Sequence, residues 1–148
     1  MISRMGPYVV LSVLLMTLFP TLVQPAITGL TLINAQTDLD IGPLGKIINL
    51  FDTGLQLNLR AEADRKYAAV EFELDGVLVK TETRVPYTIG GNNGNNNGNN
   101  YFVYPPLRQL GRHALVVRAK SKTGSVLTTY SANFDVVNRG VCELDDCC

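Results

Sequence analysis

The chain has 148 residues, with 13 basic and 13 acidic side chains and a single histidine. Its length corresponds to one domain. Because the charges balance, no net field attracts nucleic acid or an anionic membrane. The basic residues are also scattered, without the interleaved aromatic residues that single-stranded nucleic acid requires. We therefore expect no nucleic-acid partner.

The first 25 residues have the pattern of a secretory signal peptide. Arg4 is the only charged residue in this segment, and Pro20 ends an apolar run over residues 9–19. A membrane span needs about 20 apolar residues, so this run is short for one. We predict a signal peptide at 1–25, a secreted, extracellular protein and no membrane contact. An uncleaved signal anchor is the alternative.

The clearest strand pattern lies in the middle of the chain. Across residues 70–74, apolar residues alternate with Glu71 and Glu73, the period-two pattern of a strand with one dry face. The next two residues, Asp75 and Gly76, favour a type I′ turn, and apolar residues follow them. We therefore predict a β-hairpin over residues 70–80.

Other short strands surround this hairpin. They are predicted at residues 27–34, 46–51, 111–120 and 128–137. At residues 55–61 apolar residues alternate with polar ones, so Leu55 is expected in the core and Asn58 in water. Residues 35–45 are predicted to form a loop, and the Asn/Gly repeat at 90–100 an exposed, mobile loop. Because no helical period persists, the pattern favours a β-sandwich over residues 26–138, followed by a tail at 139–148.

Several segments have a recognisable combined pattern. They are residues 30–38 with Ile41 and Gly42, residues 70–76, residues 81–83 with Pro86 and Tyr87, the Asn/Gly loop, and residues 110–115 with Ala119. Together they resemble secreted immunoglobulin-like or fibronectin-III-like modules, which lie beside lectin-like, malectin-like or carbohydrate-active domains. The resemblance implies an all-β fold, an immunoglobulin-like antiparallel β-sandwich of about seven strands, with a non-catalytic spacer or binding role. This chain differs in its expanded Asn/Gly repeat and its cysteine-containing tail.

Catalytic residues are not evident. Glu71 and Glu73 lie about 7 Å apart on one strand face, and paired carboxylates can hydrolyse glycosidic bonds. An exposed strand face is ordinarily charged, so we interpret both as solvent-facing. His113 is expected to be half-buried and structural, and no serine lies in a nucleophile motif. We predict that the protein is not an enzyme; a glycan hydrolase using the two glutamates is the minor alternative.

Two aspartates in the first loop are candidate binding residues. Asp38 and Asp40 form an Asp-x-Asp pair, and oxygen ligands at this spacing suit Ca²⁺. The full EF-hand pattern is absent, and aspartate is also common in loops because it bonds to nearby backbone. We expect no cofactor and assign no metal site, with calcium as the alternative.

Three aromatic residues follow the Asn/Gly loop. Tyr101, Phe102 and Tyr104 precede a pair of prolines. Aromatic side chains in this position can stack on a sugar or a partner's side chain, since rigid aromatic anchors are typical of interfaces. They can equally close the open end of a sandwich. Both interpretations stay open, and all three residues are candidate binding residues.

All three cysteines lie in the C-terminal tail. They are Cys142, Cys147 and Cys148. In the oxidising route that a signal peptide implies, three thiols predict one intrachain disulfide and one thiol available for an interchain bond. Zinc is the alternative, although the usual fourth ligand is missing.

The sequence as a whole predicts a non-catalytic secreted module. We expect it to bind or adhere to extracellular glycan or protein through its loops, a class of role that carbohydrate-binding and cell-adhesion modules share. The alternative is a structural component, cross-linked as a disulfide-linked oligomer through its C-terminal cysteines.

Overall fold

A computed structural model describes residues 24–94 and 100–140. Within them the strands are β1 (Ile27–Asn34), β2 (Leu39–Pro43), β3 (Ile47–Asn49), β4 (Leu57–Ala63), β5 (Ala69–Leu74), β6 (Val77–Glu82), β7 (Tyr87–Thr88), β8 (Gly111–Lys120) and β9 (Val126–Val137). A single α-helical turn, α1, lies at Leu50–Thr53, and a 3-10 turn at Pro105–Arg108. Both are far too short to cross a bilayer, and no other helix occurs among the described residues.

The strands form two sheets that face each other. One sheet has the order β2-β1-β4-β7, and the other β3-β9-β8-β5-β6. The first, fourth and seventh strands thus share a sheet, while the fifth, eighth and ninth lie opposite, which is the alternation of an immunoglobulin-like sandwich. The predicted fold class is confirmed.

Three features differ from the sequence prediction, namely β2, β7 and one parallel strand pairing. The described residues contain nine strands rather than about seven, because β2 lies within residues 35–45, where a loop was predicted, and β7 is a short extra strand. One pairing, between β3 and β9, is parallel. The polar and glycine-rich composition of residues 35–45 concealed β2, which needs only one neighbour because it is an edge strand paired with β1.

The predicted hairpin over residues 70–80 is confirmed. Asp75 and Gly76 have φ values of 52° and 81°, as a type I′ turn requires. Alternate residues of β5 point into the core, where Val70 and Phe72 are fully buried. Leu59 of β4, on the opposite sheet, and Phe134 of β9, on the same sheet, belong to the same hydrophobic cluster.

The orientation of β4 was partly wrong in the sequence prediction. Leu55 precedes the strand and is 50% exposed, while Asn58 is fully buried. Period-two alternation assumes that the outer face of a strand meets water. Here Gly90, Gly91 and Phe102 cover the start of β4, so a polar side chain is buried on the outer face and must find its partners there.

The sandwich has two ends with different contents. In the register of β5 with β8, Ala69 faces Lys120 at one end and Leu74 faces Leu115 towards the other. The loops at 64–68, 83–86 and 121–125 therefore meet at the first end, which we name the loop end. The 75–76 turn, the start of β8 and the last residue of β9 lie at the opposite end, which we name the hairpin end.

Candidate functional site

Two of the predicted binding residues meet around Arg60 on the outer face of the first sheet. Both guanidinium Nη atoms of Arg60 donate to the carboxylate of Asp40, at 2.9 and 2.8 Å, and Nε donates to Glu62 at 2.8 Å. The Tyr101 hydroxyl lies 3.2 Å from Nη1. The Asp40 hydrogen bonds, opposed by burial, raise the pKa of Arg60. This cluster, the Arg60 network, is a set of groups that satisfy one another.

Asp38 joins the same region through the backbone. Its carboxylate accepts a hydrogen bond of 2.8 Å from the backbone N–H of Tyr101, and its own φ is 58°. Asp38 and Asp40 thus bind protein groups rather than presenting free oxygens side by side. Among residues 24–94 and 100–140, no three acidic, histidine or cysteine side chains come together in a way that could hold a metal ion.

Buried Asn58 fixes the base of the Asn/Gly loop. Its side-chain Nδ2 donates to the carbonyls of Gly91 and Phe102, at 3.1 and 2.7 Å, and its Oδ1 accepts from the N–H groups of Leu59 and Gly90, at 2.7 and 2.9 Å. A Cβ at Gly90 would lie 2.6 Å from the Phe102 carbonyl oxygen, so glycine is required there. Gly91 is buried and Asn92 half-buried, so the expectation of an exposed loop is wrong for its first residues.

The three aromatic residues after this loop do not form one exposed platform. Tyr101 is only 5% exposed, Tyr104 is partly buried against the core, and Phe102 alone is 48% exposed. The structure therefore places Tyr101 beside Asp38 and Arg60, with Tyr104 packed inside. Closure of the sandwich describes the two tyrosines better than an open stacking surface does.

Glu71 and Glu73 lie in cross-strand ion pairs. Glu71 accepts from Lys120 Nζ and Glu73 from Arg118 Nη1, each at 2.6 Å. Their side chains are 17% and 24% exposed. The prediction that both simply face solvent is wrong in this respect, because each pairs with a cation on the neighbouring strand β8. The carboxylates thus help to join β5 to β8, and neither is held as a free acid or base.

His113 is 5% exposed, more deeply buried than the half-buried position that the sequence predicted. Its Nδ1 lies 2.7 Å from the Asp75 carboxylate, and its Nε2 lies 2.8 Å from the Gln109 carbonyl oxygen. Burial lowers the pKa of His113, but the hydrogen bonds to Asp75 and Gln109 outweigh it and raise the pKa overall. Burial raises the pKa of Asp75, but the hydrogen bonds from the Ala114 N–H and His113 outweigh burial and lower the pKa overall.

A cleft of about 450 Å³ opens at the loop end. Its walls come from the loops after β4, β6 and β8 and from the start of β9. The lining residues are Arg65, Lys66, Tyr67, Ala68, Thr83, Lys120, Ser121, Lys122 and Leu127. Among residues 24–94 and 100–140, this loop-end cleft contains four basic side chains and no acidic one.

The basic residues of the cleft fall into two kinds. Arg65 pairs with Asp64 at 2.8 Å, and Lys120 pairs with Glu71. The Tyr67 hydroxyl and then Arg65 lower the pKa of Asp64 to about 2. By contrast, Lys66 and Lys122 are exposed, and neither forms an ion pair with any described residue.

The sequence prediction missed this cleft. Its basic residues are adjacent in the chain only as Arg65–Lys66 and as Lys120 with Lys122, so they did not appear as a cluster. The usable signal was that both pairs stand in loops flanking predicted strands. In an immunoglobulin-like sandwich the loops after β4 and β8 meet at one end, which brings the two pairs together.

Some predicted features lie outside the described residues. The proposed signal at 1–25 is described only at its last two positions, and Cys142, Cys147 and Cys148 fall in the segment 141–148. The chain just before that segment is held at the hairpin end. Asn49 accepts from the N–H of Arg139 and donates to its carbonyl, both at 2.9 Å.

Comparison with known proteins finds a likeness among solved structures. No family model matches the chain, and no curated protein matches it. Among solved structures, the fibronectin(III)-like modules of CbhA from Clostridium thermocellum are similar at 18% identity and a TM-score of 0.43. The match covers 64% of this chain and 91% of that chain. The function of the chain is therefore inferred from its own residues.

Proposed function

We propose that the protein is a secreted, non-catalytic immunoglobulin-like module that binds an extracellular glycan or protein in the loop-end cleft. The single observation that supports this is the cleft itself, at the end where three loops converge. Its volume of about 450 Å³ falls in the range of small-ligand sites, which is about 300–1,000 Å³. Binding residues are often carried by loops that a rigid sandwich positions.

The walls of the cleft are fixed before any ligand binds. The Tyr87 hydroxyl donates to the Tyr67 carbonyl at 2.9 Å and accepts from the Tyr67 N–H at 2.7 Å. The Ala68 N–H donates to the Lys120 carbonyl, and the Ser121 N–H to the Ser125 carbonyl. A preformed site does not lose the free energy of ordering its loops on binding. This favours recognition by the cleft over a merely structural role for these loops.

The candidate residues of the Arg60 network support binding less well. Asp40 and Asp38 accept hydrogen bonds from the protein, and Tyr101 is buried. A ligand would have to displace these internal partners before it could bind. We therefore place the proposed site in the cleft at the loop end instead of on that face, and we keep the predicted binding role.

A variant that fills the cleft tests the proposal without assuming any ligand chemistry. Thr83→Trp places a large ring at the cleft wall, whereas Thr81→Trp places the same ring on an exposed position of β6 outside the lining. The secreted form of the full chain is applied to a glycan array and to purified extracellular-matrix proteins. We expect retention that Thr83→Trp abolishes and Thr81→Trp preserves. No retention by the parent chain at micromolar concentration, or equal loss in both variants, would contradict the proposal.

A second function, cross-linking through the tail, is supported by the position of Arg139. Asn49 holds Arg139 at the hairpin end, opposite the cleft. A cross-link through the segment that follows Arg139 would therefore start from the end away from the cleft. We expect non-reducing gels to show an oligomer that reduction dissociates and that Cys142, Cys147 and Cys148 together account for. Identical migration with and without reductant, and a monomer in solution, would remove this second function.

A further inference from the structure

We infer that the loop-end cleft binds an acidic sugar, and that Lys66 and Lys122 contact its negative charge, carried by a carboxylate or a sulfate ester. The inference rests on the proposed function and adds to it the class of ligand. It starts from a local imbalance in an otherwise neutral chain. The chain has 13 basic and 13 acidic residues, yet the described residues that line this cleft include four basic ones and no acidic one.

The two unpaired lysines are the groups that a ligand's charge would meet. Lys120 and Arg65 already have carboxylate partners, Glu71 and Asp64. Lys66 and Lys122 have none among residues 24–94 and 100–140. An ammonium group presents three donors as a compact charge that pairs with carboxylate or sulfate oxygens. The two paired cations are largely neutralised by these carboxylates, so the positive charge available to a ligand comes from Lys66 and Lys122.

The other lining groups favour a sugar over an aromatic or peptide ligand. Thr83 brings a hydroxyl group to the cleft, which can exchange hydrogen bonds with a sugar's own hydroxyls, whereas the Ser121 hydroxyl is already bonded to Thr123 and to the Ser125 N–H. Extended peptides bind sandwiches most readily by adding to a strand edge, whereas this cleft is built from loop ends.

The same lining argues against a neutral sugar or a nucleic acid. Both are commonly held by stacking on the open face of an aromatic ring. Of the described residues in the lining, Tyr67 alone is aromatic, and it is 4% exposed, with its ring inside the core cluster. Since no stacking platform is offered, affinity must come from charge and hydroxyl contacts, and a charged sugar supplies both.

The test uses the full secreted chain and three defined tetrasaccharides. They are a heparin-derived sulfated probe, a galacturonate probe carrying carboxylates, and neutral cellotetraose. We expect calorimetry to show binding of at least one acidic probe and none of cellotetraose. Lys66→Gln with Lys122→Gln should weaken it by about tenfold for each lysine, since charge-assisted hydrogen bonds are lost. Binding should also weaken as salt rises. The better acidic probe distinguishes sulfate from carboxylate.

A matched charge change controls for non-specific attraction. Lys46→Gln with Arg112→Gln also removes two positive charges, but at a separate cleft lined by Phe134 and Asp135. We expect this control to bind the acidic probe within about twofold of the parent chain, because distant exposed charges are screened. Equal loss in both double variants would overturn the inference, as would cellotetraose binding as tightly as the acidic probes.

The remaining outcomes separate this inference from the proposed function. A poly-glutamate peptide that binds as tightly as the sugars and displaces them would overturn the assignment to a sugar. A ligand blocked by Thr83→Trp but unaffected by Lys66→Gln with Lys122→Gln would overturn the inference and leave the proposed function standing. Failure of the parent chain to bind any probe, array glycan or matrix protein would overturn both. Thermal unfolding of each variant verifies that it is folded.

Discussion

The Arg60 network and the loop-end cleft contain similar charged residues in opposite circumstances. Arg60 has Asp40, Glu62 and the Tyr101 hydroxyl as partners, so four of its five N–H donors are met from within the protein. Lys66 and Lys122 have no such partner among the described residues. A charged side chain that the fold pairs internally contributes to stability, whereas one that the fold leaves unpaired is available for recognition. A charged residue in a sequence motif therefore does not by itself indicate which of the two roles it has.

The largest expected effect is on the satisfied side of this comparison. Asn58→Ala should lower the free energy of unfolding by about 3 kcal/mol, because it leaves the Gly90 N–H and the Gly91 and Phe102 carbonyls without their buried partner. Urea denaturation measures the loss. Asn93→Ala, in the exposed part of the same loop, is the control and should change stability by less than about 0.5 kcal/mol. Equal losses would show that Asn58 does not hold the loop.

A crossed pair of variants sharpens the comparison directly. Arg60→Gln should cost about 1–2 kcal/mol of stability, since it breaks a partly buried set of charged hydrogen bonds, and should leave ligand binding unchanged. Lys66→Gln with Lys122→Gln should do the reverse, with stability within about 0.5 kcal/mol of the parent. Denaturation and calorimetry on the same preparations measure both quantities. A stability loss in the lysine variant equal to that of Arg60→Gln would break the distinction.

The smallest expected effect is a pH dependence at the hairpin end. The raised pKa of His113 adds stability that is complete below the ordinary value of 6.5 and is lost as pH rises through the folded value. The lowered pKa of Asp75 adds stability present above 3.8 and lost as pH falls through its folded value. This pair should therefore stabilise the fold most between pH 3.8 and 6.5.

Unfolding free energies at pH 5.5 and pH 8.5, below and above the ordinary histidine value of 6.5, test this dependence. The parent chain should lose stability between them, and His113→Gln should lose less, because glutamine does not titrate. The same pH slope in both proteins would assign the dependence to other groups. Neither Lys66 nor Lys122 is near this pair, so the lysine variant should keep the parent slope.

The sequence predicted what depends on local periodicity and turn chemistry. The hairpin with Asp75 and Gly76 is confirmed, as are the inward residues of β5, because alternation and an Asp-Gly turn act over a few residues. The sandwich follows from several such strands that must cover one another's apolar faces. His113 was expected to be half-buried and is 5% exposed, because its partners Asp75 and Gln109 come from other segments of the chain.

Only the tertiary structure decided which polar groups meet. Asp40 reaches Arg60 across 20 residues, Asn58 reaches Phe102 across 44, and Glu71 reaches Lys120 across 49. No local pattern encodes such pairings, because they depend on strand order and register. The same order brings Lys66 and Lys122 to one cleft, whose described lining includes no carboxylate. Local periodicity determined the strands of the sandwich, and the meeting of distant loops in the tertiary structure determined where the unpaired positive charges lie.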